Sequence, residues 1–176
     1  MAKILTGIQS TGTPHLGNIL GAIIPAVDMA NSTNDESYLF IANMHSLTQI
    51  KNEKILKENT FSTAATWLAF GLDPEKTCFY RQSDIPEVTE LSWYLSCFFP
   101  YNRLKLAHAF KDKSSNFENI NSGLFTYPML MAADIYYTMQ MLYQLVKINY
   151  NILNLLGILE LNLIIIMEKY LKYLIQ

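Results

Sequence analysis

Short apolar runs alternate along this chain with longer stretches of helical periodicity, and that alternation constrains the fold more than any other feature. Lys3 to Thr6 reads as a short buried strand that Gly7 ends. A loop rich in turn formers follows, Gln9-Ser10-Thr11-Gly12-Thr13-Pro14. The spacing then predicts a helix from Leu16-Gly17 towards Asn31, with Ile19, Leu20, Ile23, Ile24 and Val27 on its apolar side. Tyr38-Leu39-Phe40-Ile41-Ala42 is a continuous apolar run of the kind buried parallel strands show. Asn52 precedes a helical pattern (Ile55, Leu56, Phe61, Ala64, Ala65, Leu68) that stops at Gly71, a C-cap residue. Thr77 to Arg81 reads as the next strand. Asp84 with Glu87 has the spacing of a capping box, and Pro86 suits a first helical turn. That helix ends before Pro100. A second amphipathic stretch covers Asn102 to Phe110, a polar loop or lid runs from Lys111 to Ser122, and Gly123 opens a last apolar helix through Met129, Met131 and Asp134. Strand and helix in alternation imply a parallel sheet with helices on both faces.

Composition narrows the class. At 176 residues, 51% apolar and 16% charged, the chain is long enough for one domain with its own core and too apolar to be disordered. A net charge of −2 leaves no basic surplus that would announce a nucleic-acid partner. Cys78 and Cys97 show no CxxC spacing, which argues against a zinc site or disulfide framework and fits a reducing cytosol. The amino terminus reaches Gly7 without the apolar run and small-residue cleavage site of a signal peptide, so cytoplasmic location is the expectation.

The chemistry is concentrated in the first loop. A strand, a small-residue loop and a helix that begins with glycine make a nucleotide site, because free backbone N–H groups at the helix start face phosphates. A side chain at Gly17 would block close approach. His15-Leu16-Gly17-Asn18 is similar to the HIGH signature of class I aminoacyl-tRNA synthetases, in its His-x-Gly-Asn form, and it lies where that class places it. Wider wording is more specific. Gly7-Ile8-Gln9 with Gly12, Arg81-Gln82-Ser83-Asp84-Ile85-Pro86, Phe110-Lys111-Asp112-Lys113-Ser114 and Phe125-Thr126-Tyr127-Pro128-Met129-Leu130-Met131-Ala132-Ala133-Asp134 together resemble the tryptophanyl-tRNA synthetases over residues 2 to 134.

The resemblance implies an α/β fold: the Rossmann-like parallel sheet of a class I aminoacyl-tRNA synthetase, here incomplete, with an aberrant apolar helical tail. It implies a tryptophan–tRNA ligase that uses ATP with Mg²⁺, takes L-tryptophan and tRNA(Trp), and works as a cytoplasmic homodimer without a membrane or a protein-held metal. Gly7, Gln9, Ser10, Thr11, Gly17 and Asn18 would contact ATP. His15, Gly17, Asn18 and Lys113 would act in catalysis, Lys113 from a mobile segment. Asp134 would accept the indole N–H, with Tyr127, Met131 and His45 completing the pocket. Indole N–H is donor-only, so a buried acceptor there rejects side chains that lack it. Tyrosyl-tRNA synthetases share fold and signature; the Gly7-Ile8-Gln9 opening and the Met131-Ala132-Ala133-Asp134 ending favour tryptophan.

After Asp134 the vocabulary changes. Of the 42 residues from 135 to 176, 34 are Ile, Leu, Asn, Tyr, Lys or Met, and none is Pro, Asp, Ala, Phe or His. No KMSKS loop and no Val-Gly-x-Asp-Gln-x-x-His segment follows. Written in AT-rich codons and regrouped by two bases, the stretch from Tyr136 yields Val-Pro-Val-Gly-Lys-Asp-Gln-Leu-Gln-His, the continuation the family shows. A frameshift, in the gene or in its reading, accounts for this, with residues 1–134 the amino-terminal half of a catalytic domain and 135–176 an out-of-frame tail. The opposing reading is a non-catalytic nucleotide- or tryptophan-binding module with a membrane- or partner-binding tail. Ile148 to Met167 is long enough to span a bilayer, but Asn149, Asn151, Asn154, Glu160 and Asn162 are costly in hydrocarbon.

Overall fold

The computed structural model describes residues 3–105 and 121–140. Three parallel strands, β1 (Lys3–Ile8), β2 (Glu36–Ile41) and β3 (Thr77–Arg81), pair in the order β1-β2-β3. Thr6, Leu39 and Phe79 stand in register across the sheet, and so do Gly7, Phe40 and Tyr80. Side chains alternate faces along a strand, so these two rows look in opposite directions. β1 does not stop at Gly7, as its sequence suggests, but runs through it to Ile8. A Cβ at Gly7 would collide with the Phe40 ring, so the glycine is spent on packing rather than on a turn.

The crossover after β1 is α1 (Leu16–Asn18), a π-helical turn (Ile19–Ile23) and α2 (Ile24–Ser32). Pro25 has no N–H to donate and its ring crowds the preceding turn; the widened turn just before it makes room. Ile23, Ala26, Val27 and Ala30 are buried, the i, i+3, i+4, i+7 stripe of a core-facing helix. Leu20, expected on that side, is 59% exposed, because the π turn shifts the phase of what precedes it.

After β2 come α3 (Asn43–Ser46) and α4 (Glu53–Ala69). Asn52 caps α4, its side chain accepting the Ile55 N–H at 3.1 Å, and Gly71 ends it at φ 92°. The buried side of α4 is not the apolar set read from sequence: Thr60, Thr63 and Trp67 face inward, while Ile55, Phe61 and Leu68 lie exposed. Thr60 and Thr63 donate to the Leu56 and Asn59 carbonyls at 2.7 and 2.8 Å, so burying them leaves no donor unpaired. These helices pack Trp67, Leu72 and the α2 stripe against Leu39, Ile8 and Phe79.

β3 leads into a 3₁₀ turn (Gln82–Asp84), α5 (Glu87–Phe98), α6 (Tyr101–Leu104) and α7 (Ser122–Gln140). Asp84 does not cap α5; it turns back to accept from the Arg81 backbone and guanidinium at 2.6 to 3.1 Å, which leaves Pro86 at the N-cap without a side-chain bond. α5 and α7 share a second cluster of Val88, Leu91, Leu95, Met129, Ala132 and Ala133. α7 passes without a break through Asp134, where composition changes; Thr138 is buried and its hydroxyl donates to the Asp134 carbonyl at 2.9 Å. Thr138 and Asp134 lie near enough to Tyr80, on the sheet face opposite Leu39, to act on its phenol, so helices cover both faces. No helix among the described residues is long and apolar enough to cross a membrane; the stretch from Ile148 to Met167 lies outside them.

Candidate active site

In an open parallel sheet, ligands bind beyond the carboxyl ends of the strands. Three loops leave those ends here: residues 9–15 after β1, Ala42 and α3 after β2, and the 3₁₀ turn after β3. They are tied together. Asn43 Nδ2 donates to Ser83 Oγ at 2.8 Å, and the Ser83 N–H donates to Asn43 Oδ1 at 3.1 Å.

Tyr127, Met131 and Asp134 fall at i, i+4 and i+7 on α7 and so share one face. Asp134 is 5% exposed and lies at the centre of a polar cluster. Gln82 Nε2 donates to its Oδ1 and Oδ2 at 2.9 and 2.8 Å, and His45 Nε2 sits 3.0 Å from Oδ2. A carboxylate only accepts, so His45 Nε2 is the donor in this contact. His45 Nδ1 is buried with no hydrogen-bond partner among the described residues. The Tyr127 ring tilts against His45, centroids 4.3 Å apart, and Gln9 Nε2 donates to its hydroxyl at 2.8 Å. Burial raises the Tyr127 phenol above its ordinary value, opposed by the Gln9 bond. Behind Asp134, Tyr80 is pushed up to about 12, again by burial first. Met131 is half-buried on the same face. All four residues predicted for the substrate pocket therefore lie on two elements that meet, α3 and α7, and His45 touches both Asp134 and Tyr127.

The predicted nucleotide residues divide into two kinds. Thr11, Gly17 and Asn18 are open to solvent or half so, as is His15. His15 caps α1: the Asn18 N–H donates to its Nδ1 at 3.3 Å, and its own N–H donates to Asn18 Oδ1 at 3.1 Å. A Cβ on Gly17 would stand 3.0 Å from the His15 ring, so the glycine keeps that ring in place as well as the helix start clear. Ser10 is different. It is fully buried; its N–H donates to Ser46 Oγ at 2.8 Å, and its hydroxyl lies 3.2 Å from Ser46 Oγ and 3.1 Å from Thr60 Oγ1. Its groups are committed inside the protein, where they fasten the loop to α3 and α4. Gly7 is held by its contact with Phe40, as above. Lys113 lies outside the described residues.

Sequence reasoning missed Gln82, Ser46 and Thr60. Gln82 and Ser46 carry a readable signal, a polar residue just beyond the carboxyl end of a strand; Thr60 carries none, since a helical threonine is usually exposed. A separate cleft of about 420 Å³ opens between α3, α5 and the start of α7, lined by Thr48, Lys51, Thr89, Ser92 and Asn121. It reaches the cluster only through His45 and Tyr127 and includes neither Asp134 nor Gln82. Cys78 and Cys97 are free and exposed.

Residues 1–146 match the family model for class I tRNA synthetases (W and Y). The chain belongs to that family. Among curated relatives, the tryptophan–tRNA ligase of Xylella fastidiosa strain Temecula1 is 49% identical over 141 residues, covering 76% of this chain and 32% of the relative. That of Neisseria meningitidis is 47% identical over 142 residues, covering 76% and 42%. The chain thus spans 32 to 42% of the length of these relatives. The crystal structure of Campylobacter jejuni tryptophanyl-tRNA synthetase complexed with ADP and tryptophan superposes with a TM-score of 0.71 at 44% identity, covering 76% of this chain and 41% of that one. An Archaeoglobus fulgidus tyrosyl-tRNA synthetase, 19% identical with a TM-score of 0.64, shares the fold. The α/β architecture is the Rossmann-like fold of class I synthetases.

Proposed function

We propose that this chain is the amino-terminal half of the catalytic domain of a tryptophan–tRNA ligase, an enzyme that activates L-tryptophan with ATP and transfers it to tRNA(Trp). The observation that carries this reading is the buried Asp134 carboxylate, held from two sides and flanked by His45, Tyr127 and Met131. An apolar slot alone discriminates weakly among aromatic side chains; a fixed, desolvated acceptor requires a donor from its ligand, as the indole N–H supplies, and rejects a side chain such as phenylalanine that has none. Relatives at 47–49% identity are tryptophan–tRNA ligases, and one solved neighbour carries ADP and tryptophan.

In the reaction, a tryptophan carboxylate oxygen attacks the α-phosphorus of ATP and pyrophosphate leaves, giving tryptophanyl-adenylate. A terminal ribose hydroxyl of tRNA(Trp) then attacks the acyl carbon and AMP leaves. The protein contributes position and charge stabilisation rather than a covalent intermediate. Gln9, Thr11, Gly17 and Asn18 border the nucleotide, His15 holds the helix start at the phosphates, and Gly7 and Ser10 keep the loop seated. Lys113, outside the described residues, would act on the phosphates in this reading. Among the described residues no group of three His, Cys, Asp or Glu side chains could hold a metal, so Mg²⁺ would be carried by the nucleotide's phosphates. The intact enzyme is cytoplasmic and homodimeric in this reading.

Residues 135–176 are, in the same reading, an out-of-frame tail. The 76% of the chain that aligns with the relatives amounts to about 134 of its 176 residues, although the family model runs on to residue 146. Sequencing the coding DNA from the Asp134 to the Tyr137 codons tests this; codons incompatible with the regrouped frame would remove the idea. Tryptophan-dependent exchange of pyrophosphate into ATP tests the function. The 176-residue chain should give none, and the product of the frame-restored gene should give it with tryptophan and not with tyrosine. Exchange by the frame-restored product with tyrosine alone, or with neither amino acid, would refute the assignment.

A further inference from the structure

Gln82 is 1% exposed, and both ends of its amide are used. Its Oε1 accepts the backbone N–H of His45 at 3.2 Å, and its Nε2 donates to both oxygens of Asp134. The two contacts fix each other. Were the amide flipped, its NH₂ would face an N–H and its oxygen would face a carboxylate, two repulsive pairings in a buried place. A single side chain therefore sets the position of α3, through its backbone, and of the α7 carboxylate. Among the described residues, Asp134 Oδ2 receives two donors, Gln82 and His45, whereas Oδ1 receives only Gln82. A carboxylate offers about four lone-pair sites, so Oδ1 keeps acceptor capacity for one more N–H.

The geometry points to Gln82 as the positioning residue for indole recognition: it holds the Asp134 carboxylate so that Oδ1 is preset to take a ligand N–H. This rests on the tryptophan reading of the site. Gln82 acts through Asp134 and His45 and need not touch the ligand. Preset acceptors matter because a carboxylate free to rotate would lose freedom on each binding event and could turn towards water instead.

Two variants of the purified 176-residue chain separate positioning from simple packing. Gln82→Met keeps the volume and removes both polar contacts. Gln82→Glu keeps the shape: protonated, it donates to Asp134 and accepts from His45; ionised, it sets a second negative charge beside Asp134, with His45 on α3, Tyr80 on β3 and Tyr127 on α7 the other titratable groups around it. Binding of L-tryptophan is measured by calorimetry between about pH 5.5 and 8, with circular dichroism confirming the fold of each variant. Gln82→Met should weaken binding at least roughly tenfold at every pH. Gln82→Glu should be weak at the upper end and gain affinity relative to the native chain as pH falls. Binding by Gln82→Met within about twofold of native, or a pH profile of folded Gln82→Glu parallel to the native one, overturns the assignment. Nitrogen-15 spectra of the His45 ring without ligand give a second reading. The native chain should show only the Nε2–H tautomer, and Gln82→Met a mixture. If the native chain binds no tryptophan, the ligand reading falls and the ring spectra decide whether Gln82 holds the pair; an unchanged ring in Gln82→Met overturns that as well.

Discussion

Gln9 and Tyr127 lie 118 positions apart in the chain, yet the Gln9 amide donates to the Tyr127 hydroxyl at 2.8 Å, joining the loop after β1 to α7. The bond links the side of the site assigned to the nucleotide with the side assigned to the amino acid. Tyr127→Phe removes it and leaves the ring against His45. Loss of one half-buried hydrogen bond should lower stability by about 1 kcal/mol, read as a shift in the urea midpoint with unchanged slope. A Gln9→Leu, Tyr127→Phe double variant should cost little more than either single change, the mark of direct coupling.

Asp134→Asn keeps shape and replaces an acceptor by an NH₂ that must confront a donor, Gln82 Nε2 or the His45 N–H. His45 can move its proton to Nδ1 and accept, but Gln82 is fixed by the His45 backbone. The substitution should destabilise the fold by about 1–3 kcal/mol and abolish tryptophan binding in calorimetry. A variant of native stability would show that the cluster is looser than its distances indicate.

Gly7→Ala drives a methyl into the Phe40 ring, which is itself stacked on Tyr80 at 5.5 Å. Overpacking of a core site costs about 1–3 kcal/mol. Phe40→Leu should recover part of that loss in the Gly7→Ala background while destabilising the native chain, a reversal of sign that thermal melts of the four proteins would reveal.

Alkaline pH should weaken the fold through its buried phenols. Tyr80 ionises near pH 10 when unfolded and only at about 12 when folded, held neutral by burial and opposed by the Thr138 bond. The folded state thus keeps a proton the unfolded state gives up, so stability is flat below pH 10 and falls as pH rises through the window up to 12. Tyr127 shifts in the same direction. Urea midpoints across that window should fall less steeply for Tyr80→Phe than for the native chain; equal slopes would place the sensitivity elsewhere.

Much of this was legible in the chain. The three strands, the Asn52 cap and the Gly71 stop follow from local patterns, because they depend on a few neighbouring residues whose backbone needs are fixed. The helix start at Leu16-Gly17 was legible for the same reason, whereas the mutual capping of His15 and Asn18 emerges only in the structure. Where sequence reading erred, a distant residue had intervened. Gly7 looks like a strand end until Phe40 is seen to fill the space above it. Asp84 looks like a cap until Arg81 takes its carboxylate.

The sequence by itself determined the βαβ order, the parallel sheet, the family, and the short roll of polar residues from which a site could be made. Only the tertiary structure decided which of them meet. Ser10, expected to contact ATP, is buried against Ser46 and Thr60, while Gln82, not singled out in the sequence, joins Asp134 to His45. Local propensity acts over a few residues, whereas a buried hydrogen-bond network is satisfied by groups some 36 to 118 positions apart, and no window along the chain contains both partners.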